Sequence, residues 1–140
     1  MKPLPILVLL LSLLSPILLQ GQTTLFPGDL TIVNINSDGA KNCDLLLLSD
    51  ISAGTVFKLT DDAWMDDNQS FRGSEGILTY TASSDMTAGT VISCPGKDGG
   101  NGFFESGNFN PAGSGDNLIV YQGDESDPFF IFAIGWGRGS

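Results

Sequence analysis

The stretch Cys43-Asp44-Leu45-Leu46-Leu47-Leu48-Ser49-Asp50-Ile51-Ser52-Ala53-Gly54-Thr55-Val56-Phe57-Lys58-Leu59-Thr60 decides the fold class. Two short apolar runs, 43–48 and 55–60, flank a polar turn that ends in glycine. Each is strand-sized rather than helix-sized, and the second is rich in β-branched and aromatic side chains. Period two sets Val56 and Lys58 on the face opposite Phe57 and Leu59. Working outward, comparable runs stand at 29–36, 76–81, 90–94, 117–122 and 129–134. In 29–36, Leu30, Ile32 and Asn34 share one face and Thr31, Val33 and Ile35 the other. Both faces are largely apolar, which predicts burial on two sides.

Beyond residue 22 no long window carries apolar residues at helical spacing. Seven short runs at roughly regular spacing, parted by Gly, Asp, Asn, Ser and Pro, predict an all-β fold. The expected architecture is an antiparallel β-sandwich of about seven strands, immunoglobulin-like. The stretch 95–116 is the least regular and reads either as a connection between sheets or as a functional loop. One internal echo stands out: Ser49-Asp50-Ile51-Ser52-Ala53-Gly54-Thr55-Val56 against Ser84-Asp85-Met86-Thr87-Ala88-Gly89-Thr90-Val91. Two copies do not make a solenoid, so they are expected to be two equivalent corners of one sandwich.

Residues 1–20, MKPLPILVLLLSLLSPILLQ, combine one cation, Lys2, with an apolar run too short to span a bilayer. Gly21-Gln22-Thr23-Thr24 follow as small or polar residues. Residues 1–22 are therefore read as a cleavable signal peptide, 23–140 as a single domain, and the product as secreted or held at the cell surface. Without Lys2 the domain keeps five basic against sixteen acidic residues, a formal charge of −11. Such a surface repels nucleic acid and anionic lipid, so neither is expected as a partner. Cys43 and Cys94 are the only cysteines. In an oxidising compartment they are expected to pair, the competing reading being two buried thiols. Closing a loop that long would add roughly 4 kcal/mol in the chain-entropy account.

Catalytic constellations are sparse. With no histidine the chain has no Ser-His-Asp or Cys-His site and no histidine-based metal site. No phosphate-cradling glycine motif follows a strand. The domain is therefore read as non-enzymatic, although a carboxylate pair for glycoside hydrolysis stays open because acids are plentiful. The densest set of oxygen donors is Asp61-Asp62-Ala63-Trp64-Met65-Asp66-Asp67-Asn68. Asp61, Asp62, Asp66, Asp67 and Asn68 are candidate calcium ligands, since calcium takes six to eight hard oxygens and loops supply carbonyls as well. The spacing is not that of an EF-hand. The alternative is a solvated acidic loop anchored by Trp64. Trp64, Phe71, Phe103, Phe104, Tyr121 and Trp136 are candidates for a sugar-stacking platform or for core packing. Asn68-Gln69-Ser70 fits the glycosylation triplet of a eukaryotic secretory route.

The strings SDISAGTVFKLTDDAW, FRGSEGILTYTA, TAGTVI and GNFNPAGSGDNLIVYQG resemble a domain recurrent in bacterial secreted and cell-surface proteins. The last string and the strand after it are also similar to the closing half of lamin-tail-type domains, which have an immunoglobulin-like sandwich. The resemblance covers nearly all of 29–136. It implies a surface, adhesion or matrix module, with an extracellular glycan or protein as ligand and further domains in the same chain. It brings no established catalytic residues. A carbohydrate-binding module of a polysaccharide-degrading protein is the alternative function.

Overall fold

The computed structural model describes residues 21–96 and 99–137. The segment read as a signal peptide, residues 1–20, lies outside them. Among the described residues no helix is long and apolar enough to cross a membrane.

Among the described residues every regular element is a strand: β1 Leu30–Asn36, β2 Asn42–Leu47, β3 Val56–Thr60, β4 Trp64–Met65, β5 Ser70–Phe71, β6 Ile77–Thr81, β7 Val91–Cys94, β8 Phe103–Ser106, β9 Gly115–Asp124 and β10 Asp127–Gly137. They pair antiparallel in three sheets, ordered β1-β2-β7, β10-β9-β3-β6-β8 and β4-β5. The first two share one core, built from Leu30, Ile32, Leu45, Leu47, Phe57, Leu59, Leu78, Ile92, Leu118 and Val120 among others. The described residues are thus all-β and sandwich-like, with ten strands rather than seven. The additional ones are the two-residue β4 and β5 and the short edge strand β8, inside the stretch read as irregular.

One register organises the molecule. Cys43 faces Cys94 and Leu46 faces Val91 between β2 and β7. Ile51 faces Met86 in an isolated bridge. Val56 faces Thr81 and Thr60 faces Ile77 between β3 and β6. These pairs keep one register through the break at the corners, so 43–60 and 77–94 form a single ribbon bent from one sheet into the other. The inward residues keep one parity along it: Cys43, Leu45, Leu47, Ile51, Phe57 and Leu59 against Leu78, Tyr80, Ala82, Ile92 and Cys94 are all buried. Constant parity means that the bend consumes no register, so one face of the ribbon lines the core from both sides.

The bend is the echoed sequence. Ile51 and Met86 exchange backbone hydrogen bonds of 2.8 and 2.9 Å. Asp50 Oδ1 accepts from the Ala88 N–H, and Asp85 Oδ1 from the Ala53 N–H, both at 2.8 Å. Gly54 donates to Ala82 and Gly89 donates to Leu47, each at 2.8 Å. The two copies therefore hold each other about a local twofold, as two equivalent corners. Gly54 and Gly89 take φ of 81° and 89°, a region in which other residues are strained.

The expectation that 29–36 is buried on both sides does not hold. Leu30 and Ile32 enter the core, but a bulge at Val33 breaks the pairing with β2 and leaves Val33 exposed. A bulge re-aims the side chain it carries. Before β1 the chain is tethered to β9: Leu25 is buried, its N–H donates to Gln122 Oε1, and Gln122 Nε2 donates to the carbonyls of Thr23 and Val56.

Candidate functional site

Between β3 and β6 the chain leaves the ribbon, and the acid-rich segment begins there. Thr60, Asp61 and Asp62 are buried. Asp61 Oδ1 accepts from the Gly76 N–H at 3.3 Å and Oδ2 from the Asn110 N–H at 2.7 Å. Asp62 Oδ2 accepts from the Gly73 N–H at 2.6 Å. Thr60 Oγ1 donates to the Gly76 carbonyl, and Asn117 Nδ2 donates to the carbonyls of Asp61 and Asp62. Asp116 Oδ2 accepts from the Ala112 N–H and Glu105 Oε1 from the Phe109 N–H. These acids tie down the loops 72–76 and 107–114 by satisfying backbone donors that would otherwise be orphaned.

The approach is close enough to require glycine at 76. A Cβ there would sit 2.0 Å from the Phe109 backbone nitrogen. Burial raises the Asp61 carboxyl above its usual range, offset in part by the N–H groups of Asn110 and Gly76. Glu75 is raised by burial first, then by repulsion from Asp61, Asp116 and Asp62. Asp62 Oδ1 is buried without a hydrogen-bond partner, as is the Tyr121 hydroxyl. Burial and the charges of Glu125 and Asp62 hold that phenol well above its ordinary range.

The structure divides the five candidate calcium ligands. Asp61 and Asp62 lie at the buried base of the segment, whereas Asp66, Asp67 and Asn68 lie exposed at the β4–β5 tip. Asn68 Oδ1 accepts from Ser70 Oγ at 2.8 Å. Among the described residues no group of three or more acids or cysteines stands where one metal ion could be held.

The aromatic candidates also separate. Trp64 packs edge-on against Phe71 at 5.2 Å and Phe130 at 5.0 Å, and Phe71 lies 5.2 Å from Tyr121. This cluster fixes the β4–β5 ribbon to the outer face of the five-stranded sheet, which explains how the outward Tyr121 is fully buried. Phe103 belongs to the core beside Phe57 and Tyr80. Trp136 packs partly against the core and donates to the Ala112 carbonyl. Phe104 stands 73% exposed on β8, and Phe26 and Phe129 form an exposed pair at 5.8 Å with rings at 90°.

Concave surface is modest. Open depressions of about 310 and 330 Å³ lie beside Lys58 and Gln122 and at the paired corners around Asp50, Ser52, Asp85 and Thr87. The anchoring roles of Asn110, Asn117 and Gln122 had no local signal in the sequence, because each reaches a partner far away along the chain. Cys43 and Cys94 are both buried and stand directly opposite one another between β2 and β7. Contact with the Cys94 sulfur, and then burial, raise the Cys43 thiol strongly. No family model, no curated protein and no solved structure matches this chain.

Proposed function

We propose that residues 23–140 form a non-catalytic extracellular module, secreted or held at a cell surface, that presents rigid loops for adhesion or matrix assembly. The observation that carries this reading is the use of the acids. Asp61, Asp62 and Asp116 spend carboxylate oxygens on backbone N–H groups of loops 72–76 and 107–114, which favours fixed presentation over acid–base chemistry. The immunoglobulin-like, lamin-tail-type likeness belongs to the same reading, with a glycan or protein as ligand and further domains in the chain. Fold analogy gives it no mechanism of its own.

The carbohydrate-binding alternative draws support from the exposure of Phe104 and of the Phe26–Phe129 pair. The perpendicular rings of that pair weigh against a flat stacking strip. One experiment separates the readings. The full chain is expressed through a secretory route, its N-terminus sequenced, and the recovered protein tested for retention on insoluble polysaccharides and for release of reducing sugar. Recovery from the medium without its leader, and without sugar release, is the expected result. Retention abolished by Phe104→Ala would favour the carbohydrate reading, and sugar release would overturn both.

A further inference from the structure

The end of the bent ribbon carries the two cysteines, and their placement says more than that they are near. Directly opposed residues of an antiparallel pair have Cα atoms about 4.5–5.5 Å apart, inside the range that a disulfide spans. Their register is fixed by Asp44↔Ser93, Leu45↔Ile92 and Leu46↔Val91 beside them. Asp44 reinforces it on the outer face by accepting from both Asn34 and Ser93. Both sulfurs point the other way, into the core, where Cys43 and Cys94 are 2% and 1% exposed. No oxidant can line up with a sulfur that is closed off from solvent.

We infer that Cys43 and Cys94 form a disulfide, and that it is made while the β2–β7 pair is formed but the two sheets have not yet closed over it. β2–β7 pairing alone brings the sulfurs together, whereas their burial also needs the five-stranded sheet packed on the inner face. In the open chain one thiolate attacks a low-molecular-weight disulfide such as glutathione disulfide, giving a mixed disulfide and one glutathione thiolate. The second cysteine thiolate attacks the protein sulfur of that intermediate and expels the other glutathione. Two electrons pass from the cysteines to the oxidant, and the two thiol protons end on glutathione. Once packed, the bridge is shielded from reductants, and a chain that folds reduced is equally shielded from oxidants.

The inference uses the extracellular reading only for where oxidant is met, so its test is run in vitro. The purified chain is reduced in guanidinium and refolded in two ways, with a glutathione redox buffer or with reductant. The oxidised product is expected to be two hydrogens lighter by intact mass and to take up no iodoacetamide after denaturation. The reduced, folded product is then placed in glutathione disulfide without denaturant. Its bridging is expected to be at least about 100-fold slower than in guanidinium, because reaction waits for the native state to open. Two alkylatable thiols after oxidative refolding would overturn the bridge. Equal rates with and without denaturant would overturn its timing. Neither outcome bears on export, which the N-terminal sequence of the secreted chain decides.

Discussion

Asp50 and Asp85 hold one another's corners: each carboxylate accepts the backbone N–H of the alanine three residues beyond the other, both at 2.8 Å. The arrangement has the symmetry of the repeated sequence, with the Ile51–Met86 bridge at its centre. Both aspartates are exposed, so each bond is worth what an exposed cap is worth, about 1 kcal/mol. Asp50→Ala and Asp85→Ala are expected to destabilise by the same amount within about 0.5 kcal/mol, since the two sites are equivalent. Denaturant titration of the two variants checks this, and a large inequality would mean that the corners are not energetic equivalents.

Gly76 and Gly54 are glycines for different reasons, and alanine at each should show it. At 76 a Cβ collides with backbone atoms of Asn108 and Phe109, which cannot swing away as a side chain would. Gly76→Ala is expected to cost more than about 3 kcal/mol, in the range of severe overpacking. At 54 there is open space around the new methyl and only the φ of 81° to strain. Gly54→Ala is expected to cost about 1 kcal/mol. Comparison of midpoints at unchanged slope in urea reads both.

The acids at the loop base give the molecule a distinctive pH dependence. A carboxyl whose folded-state pKa is raised binds its proton more readily folded than unfolded, so its contribution falls as pH climbs from the unfolded pKa through the folded one. Glu75 is such a group, raised from 4.5 by burial and by three neighbouring acids. Glu75→Gln is therefore expected to melt above the parent at pH 7 and to converge with it below pH 4.5. Thermal melts across that interval provide the measurement, and a Gln variant that is less stable at pH 7 would contradict the assignment.

Calcium has a direct test as well. With Asp61 and Asp62 at the buried base and Asp66, Asp67 and Asn68 at the exposed tip, melts in calcium and in excess chelator are expected to coincide. A site held at about 100 times its dissociation constant would add roughly 2.7 kcal/mol. For a domain of this size that is a shift on the order of 10 °C, and its appearance would support a calcium role for the segment.

Which parts were legible in the sequence follows from where the signals lay. Runs such as Val56–Thr60 and Ile77–Thr81 declared themselves because β-branched and aromatic residues fill both the strand and its face. The corners were visible because their chemistry is written twice. Trp64–Met65 and Ser70–Phe71 escaped because each is two residues long and an acidic turn parts them. Phe103–Ser106 escaped because Glu105 and Ser106 dilute its apolar run at a sheet edge. Asp61 and Asp62 looked like surface ligands, as paired acids ordinarily do. Their partners, the N–H groups of Gly73, Gly76 and Asn110, arrive from loops that no local reading brings near. The outward Tyr121 is buried by the same non-local logic, through a ribbon that was not expected to exist.

The unbroken register from Thr60↔Ile77 out to Cys43↔Cys94 has a kinetic corollary. Its pairs are nested, so each closes only a slightly larger loop than the one before, and the ribbon can zip from its tip with little new entropic cost at any step. The tether of Leu25 to Gln122 is the opposite kind of contact, joining residues 97 apart with nothing nested beneath it at the N-terminal side. Loop-closure entropy accordingly favours the ribbon as a local zipper and weighs most on the N-terminal strap, the long-range clasp of the domain.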